Sequence, residues 1–289
     1  MKEALYYEND GGYIRCCLCP HKCELAQGKT GRCRIRRHED GKLIAAGYGR
    51  VSALGLDPIE KKPLRHFYPG SWILSLGGYG CNMRCSFCQN DSISQNTAPT
   101  DFYGPEAKDF YTPYEVLRQA CDRPQNIGVA FTYNEPLINI EYILDTAPLL
   151  RERGHKVVLV TNGLICAGPL ADLLPLVDAL NIDVKGFNEA FYKKLGGDIA
   201  TVKHTVKTAA ARCHVEVTAL VVPGENDASG EMEALTDWLA GLNTGIPLHL
   251  SRFFPRYRMA DKPPTPPETL NALAAIARRR LLHVYIGNL

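Results

Sequence analysis

From residue 71 onward, short apolar runs alternate with longer segments whose apolar positions recur at helical spacing. SWILSLGG (71–78) reads as a buried strand ended by glycines. YTPYEVLRQACD (111–122) reads as a helix with Pro113 in its first turn. Further strands are predicted at 127–133, 156–163, 179–186, 214–224, 247–253 and 281–287. The helices between them are predicted at 136–154, 168–177, 189–211, 229–243 (Ser229 as cap) and 265–280. Apolar strands alternating with amphipathic helices mean parallel β/α units. Six or seven units are too few for a closed eight-unit barrel of about 250 residues. No strand is followed by a Gly-rich dinucleotide turn. The expected class is therefore α/β: a partial, open (β/α)6-type TIM barrel over residues 71–289. Residues 46–70 lead into it, and residues 1–45 form a small Cys-rich metal-binding segment.

In such folds ligands sit at the C-terminal ends of the strands. Polar residues gather at those ends. A cysteine loop follows the first strand, and TYNEP (132–136), TNG (161–163), DVKG (183–186), VPGEND (222–227) and SRFFP (251–255) close the next five. Six polar strand ends in register are hard to read as core.

Composition adds two constraints. The chain has 289 residues, net charge +2 and 45% hydrophobic residues, so nothing global points to nucleic acid. The charge is uneven: residues 1–70 carry +5 and the remainder −3. The basic excess sits mainly in GKTGRCRIRRHEDGK, which reads as a solvated face beside a metal knuckle rather than an RNA patch. MKEALYYENDGG lacks the apolar core of a signal peptide, and no stretch reaches membrane-spanning length. A cytoplasmic location is expected, where disulfides are rare. Eight of the eleven cysteines nevertheless fall in two tight groups, which favours metal or iron–sulfur ligation.

The second group, in GYGCNMRCSFCQN, places Cys81, Cys85 and Cys88 at C-x3-C-x2-C on one loop. Three thiolates hold three irons of a four-iron cube and leave one iron open, and an open metal position is what catalytic sites keep. Cys121, Cys166 and Cys213 are scattered and read as small buried hydrophobes. A zinc knuckle with a distant fourth ligand is the competing reading. This motif after the first strand of a partial barrel resembles the radical S-adenosylmethionine superfamily, down to Phe87 before the last cysteine. The resemblance implies a [4Fe–4S] cluster that chelates S-adenosylmethionine and cleaves it to methionine and a hydrogen-abstracting 5′-deoxyadenosyl radical. By the same resemblance Glu135 is the candidate to hold the cofactor's ammonium. Asp183 and Lys185, two apart on one strand, would face its ribose hydroxyls and its carboxylate. Thr161, Asn162, His249 and Arg252 would contact the same region.

CQN and DVK further resemble glycyl-radical-enzyme activases such as pyruvate formate-lyase activating enzyme. Two departures stand out: Val160 occupies the place of an Asp before Thr-Asn-Gly, and Thr218 lies near the place of a strand-borne Arg. A closer match covers essentially the whole chain. CCLCPHKCELAQGKTGRCRIR (16–36), YGRVSALGLDPIEKKPLRHFYPG (48–70) and SRFFPRYRM (251–259) resemble the AmmeMemoRadiSam-system radical SAM enzymes. That resemblance implies an activase-like enzyme with Memo-like or AMMECR-like partners and an external electron donor, but supplies no substrate; the activase likeness and the lack of large inserted domains favour hydrogen abstraction from a protein. Hydrogen abstraction from a small molecule or RNA base, and a non-enzymatic adaptor, are the competing classes.

Cys16, Cys19, Cys23 and Cys33 form C-x2-C-x3-C-x9-C, with Cys17 an extra. Four thiolates close a site completely, so a structural or electron-transfer role fits better than catalysis. Gly28 and Gly31 let the chain turn back towards Cys33. Zinc and an auxiliary iron–sulfur cluster are both chemically sound. The shortness of the segment, which must be stapled to fold, points to zinc. DPIEKKPLRHF (57–67) is expected either to line the substrate opening or a partner surface, or to pack on the barrel bottom.

Overall fold

In a computed structural model the described residues are 1–95 and 109–288. The chain begins with small antiparallel pieces. Strands β1 (Tyr7–Asp10), β2 (Tyr13–Cys16) and β3 (Glu24–Ala26) form one three-stranded sheet, and β4 (Arg36–Glu39) pairs with β5 (Lys42–Ala45). The segment is tied to the rest by a buried ion pair, Arg36–Glu141, at 2.8 Å.

β6 (Ala53–Pro58) opens the main sheet and runs antiparallel to β7 (Trp72–Gly77). β8 (Asn126–Thr132), β9 (Lys156–Thr161), β10 (Ala179–Asp183), β11 (His214–Val221), β12 (Leu248–Arg252) and β13 (Val284–Gly287) follow. They add in sequence order, all parallel, so the eight-stranded sheet reads β13 to β6 without a crossover out of turn. This is an α/β fold with a mainly parallel central sheet, open between β13 and β6. The central strands are buried nearly end to end, as parallel strands covered on both sides must be.

All seven strands predicted from 71 onward are present. β6 is not legible in the sequence because its residues are mostly half-buried and show neither alternation nor an apolar run. The helix expected over 189–211 is two helices, Glu189–Leu195 and Ile199–Ala210. Gly196 ends the first in the left-handed region (φ 66°), and the Asp198 carboxylate caps the second by accepting from the Thr201 N–H at 2.8 Å. Ser229 is the first helical residue rather than the cap, which falls on Ala228. The helix expected from 136 begins as a 3-10 turn, Pro136–Asn139, and becomes α-helical over Ile140–Glu152.

Residues 59–67 close the N-terminal end of the parallel strands. Glu216, on β11 and fully buried, accepts from the backbone N–H groups of Arg65 (3.0 Å) and His66 (2.7 Å). Its carboxylate also meets His214 at 2.9 Å and His249 at 2.6 Å. Asn181 donates to the Pro63 carbonyl, and Thr218 donates to Asn181. Among the described residues no helix is long and apolar enough to cross a membrane.

Candidate functional site

A cavity of about 310 Å³ lies at the C-terminal ends of the strands and reaches down to the floor segment. Cys81, Cys85 and Cys88 line it, and among the described residues no fourth cysteine does. Their loop is built around Gly80, whose φ of +80° is open to glycine and strained for other residues. Sulfur is already a hydrogen-bond acceptor here: the Met83 N–H donates to Cys81 Sγ at 3.3 Å, and Asn162 Nδ2 lies 3.7 Å from it. Burial pushes all three thiols up, Cys85 to about 12, although Lys185 draws Cys85 and Cys88 the other way. Iron would reverse that, since a coordinating thiol is deprotonated outright. Three soft donors on one loop, with N–H groups aimed at sulfur, fit a three-thiolate cube.

Each residue of the TYNEP stretch does a different job. Tyr133 takes a left-handed backbone (φ 69°), which turns the chain off β8, and its carbonyl accepts from Asn90 at 2.6 Å. Its hydroxyl donates to Asp57 at 2.7 Å. Asn134 braces the cysteine loop, accepting from the Gly78 N–H at 2.9 Å and donating to the Gly80 carbonyl at 3.1 Å. Glu135 then faces the cavity, 2% exposed. It accepts from the Thr161 hydroxyl (2.6 Å) and from the N–H groups of Asn162 (2.7 Å) and Leu137 (3.0 Å). Burial dominates those bonds and lifts its carboxyl to about 7.

Opposite, Lys185 Nζ meets Asp183 at 2.7 Å on the cavity wall. Burial works against the ammonium, but Asp183 and the Cys85 thiol keep the Lys185 pKa above its ordinary value. The two residues expected to reach separate parts of a cofactor thus hold each other. Thr161 and Asn162 also line the cavity, but their groups are committed to Glu135 and to the cysteine loop. Thr161 Oγ1 donates to Glu135, and Asn162 Nδ2 donates to Asn82 at 2.9 Å. His249 and Arg252 lie outside the lining, where Ser251 forms the β12 wall. His249 is bound to Glu216 and stacked on Tyr285. Arg252 donates to the Thr265 carbonyl at 2.7 Å and lies over Phe254. Both are placed by barrel packing.

Residues 57–67 take the second of the two alternatives expected of them, and reach the cavity from below rather than at its opening. They pack on the barrel bottom, and Lys61, Lys62 and Pro63 line the cavity floor. Lys62 is buried, 2.8 Å from Asp57 and over the Tyr133 ring. Burial opposes charge on Asp57, yet Lys62 and Tyr133 hold its carboxyl down at about 2. Lys62 was not singled out from sequence, and the charge density of its segment is the one signal that marks it.

The model of the Radical SAM superfamily matches residues 76–239. The uncharacterized protein MJ0808 of Methanocaldococcus jannaschii is 42% identical over 295 residues, covering all of this chain and 85% of that protein. A radical SAM methyltransferase from Sphaerobacter thermophilus is similar in fold, with a TM-score of 0.55 at 19% identity over 76% of this chain and 67% of that one. Streptococcus suis SuiB bound to S-adenosylmethionine gives 0.52 at 16% identity, over 73% and 48% of the two chains.

Proposed function

Because this chain belongs to the radical SAM superfamily, we propose that it is an activase-like enzyme of the AmmeMemoRadiSam-system kind that abstracts hydrogen from a protein substrate. The observation that carries this reading is one cavity with Cys81, Cys85 and Cys88 on one wall and Glu135 and the Asp183–Lys185 pair on the others. When bound and reduced, the cluster and S-adenosylmethionine together supply one-electron cleavage of the latter to methionine and a hydrogen-abstracting 5′-deoxyadenosyl group.

The chain's own residues position and shield. Thr161, Asn162 and Leu137 fix Glu135 in one orientation, so its carboxylate is ready for a cation such as the cofactor's ammonium. Asp183 holds the Lys185 ammonium in the cavity, where a carboxylate would meet it. Met83 and Asn162 direct N–H groups at Cys81, which orients that ligand. The cavity's size is consistent with a substrate that presents only its reacting group. About 310 Å³ is at the small end of ligand pockets, roughly 300–1,000 Å³. S-adenosylmethionine alone is an occupant of that class, which leaves a substrate's reacting group to enter through the cavity mouth. Memo-like or AMMECR-like proteins are the proposed partners, with an external one-electron donor.

The test is anaerobic. The reconstituted protein is given S-adenosylmethionine and a strong reductant, and 5′-deoxyadenosine is quantified, with the Cys81→Ala/Cys85→Ala/Cys88→Ala variant as control. Product from the parent alone supports the reading. Lys185→Met should lower that product at least about tenfold with the iron count unchanged, the loss of one charge-assisted contact. A fully loaded cluster that yields no product with or without candidate partner proteins would leave a binding scaffold instead.

A further inference from the structure

A second set of cysteines stands apart from the reaction cavity. Cys16 ends β2, Cys19 and Cys23 lie in the turn to β3, and Cys33 precedes β4. All four line one small internal cavity, whereas Cys17 points away and lies near the Arg15 carbonyl. The turn is shaped for them. Gly28 takes φ +75° and Lys22 φ 42°, both in the left-handed region. The Arg32 N–H approaches Cys23 Sγ at 3.5 Å.

Two features of this cavity bear on its occupant. The first is its width: about 10 Å³ is open to the centre of a water-sized sphere. Such a sphere, about 1.4 Å in radius, stays more than about 3 Å from any sulfur nucleus it touches. Zinc would draw four sulfurs to roughly 2.3 Å. Among the described residues no three His, Cys, Asp or Glu side chains converge on a single-ion site. That holds equally for Cys81, Cys85 and Cys88, the superfamily's cluster loop. The second feature is Arg36. It is 1% exposed, lines the cavity, and its Nε has no hydrogen-bond partner, although the rest of its guanidinium is bound to Glu141 and the Leu5 carbonyl. A buried N–H left unmet costs about 1–3 kcal/mol. Metal-bound thiolates in the cavity, of zinc or of a cluster alike, would meet it, so Arg36 marks an anionic occupant and the width separates the two.

We infer that Cys16, Cys19, Cys23 and Cys33 hold a second, fully ligated [4Fe–4S] cluster. This goes beyond the reaction proposed for the first loop and does not depend on it. It also reverses the preference for zinc drawn from the length of the segment. The second site is packed directly against the first. The Cys33 carbonyl abuts Gly80, His21 Nε2 meets the Asn82 carbonyl at 2.7 Å, and Arg84 bridges the Cys81 and Arg32 carbonyls.

The test is metal and sulfide analysis with Mössbauer spectroscopy on the full chain, reconstituted anaerobically with zinc present. The parent should hold about eight irons and eight sulfides, and the Cys81→Ala/Cys85→Ala/Cys88→Ala variant about four of each as a [4Fe–4S] cluster. Cys19→Ser/Cys33→Ser should likewise hold about four, on the first loop. One zinc per chain with about four irons in the parent would overturn the inference. So would a folded first-loop variant that takes up neither iron nor sulfide. If either variant fails to fold, the parent's iron-to-zinc ratio decides alone. The first-loop variant cannot perform the proposed reaction, so its iron content reads the second site whether or not that reaction is correct.

Discussion

Glu216→Gln is the sharpest perturbation of the barrel floor. The carboxylate is fully buried and joins three separate pieces of chain: the 59–67 segment through two backbone N–H groups, His214 on its own strand, and His249 on β12. Burial alone would raise its pKa, but these partners hold it down at about 2 against an ordinary 4.5. That gap is worth about 3 kcal/mol of folding stability, at about 1.4 kcal/mol per pK unit. Because the folded pKa is depressed, the contribution is complete above pH 4.5 and is lost as pH falls towards 2. A glutamine keeps the shape but turns an N–H₂ towards groups that donate. At pH 7 the expected loss is about 3 kcal/mol, or about 5 °C in apparent midpoint for a chain of this size. The assay is anaerobic thermal unfolding of matched parent and variant between pH 4 and 7. The parent's midpoint should fall more steeply below pH 4.5 than the variant's. A loss at pH 7 under about 1 kcal/mol, or equal acid slopes, would show that Glu216 does not hold the floor segment in place.

Three other perturbations report on the site and its support. Gly80→Ala must strain a left-handed position and push on the Cys33 carbonyl, so it should cost about 2 kcal/mol or more and weaken iron retention at the first loop. Gly168→Ala, where a Cβ meets nothing within 4 Å, should do neither, and iron retention after gel filtration compares them. Glu141→Ala strands a buried guanidinium and should cost about 3–5 kcal/mol by urea denaturation, more than Arg36→Met combined with Glu141→Leu. Glu135 is shifted the other way from Glu216. Its stabilising share is present below pH 4.5 and lost as pH rises through about 7, so the cofactor-free protein should lose midpoint over that range. Glu135→Gln should flatten that slope and abolish 5′-deoxyadenosine formation.

The sequence by itself determined the parallel series and the place of the candidate site. Buried parallel strands must be continuous apolar runs and their helices amphipathic, so seven strands and their polar C-terminal ends are visible without coordinates. Three cysteines within eight positions mark their own loop, and the positions of Glu135, Asp183 and Lys185 on the cavity wall follow from lying at the ends of legible strands, β8 and β10. The rest depended on contacts between distant segments. β6 pairs through backbone atoms, which carry no side-chain signal. Residues 57–67 become the cavity floor through distant partners: Glu216, 150 positions from His66, captures two of their N–H groups, Asn181 donates to the Pro63 carbonyl, and Ile59, Leu64 and Phe67 pack against strand residues. His249 and Arg252 have the polarity of site residues, and only the register of β12 shows them occupied elsewhere. The same holds for the N-terminal cysteines: spacing says that four thiolates can share a site, but its width and the unmet Arg36 N–H are properties of the folded chain.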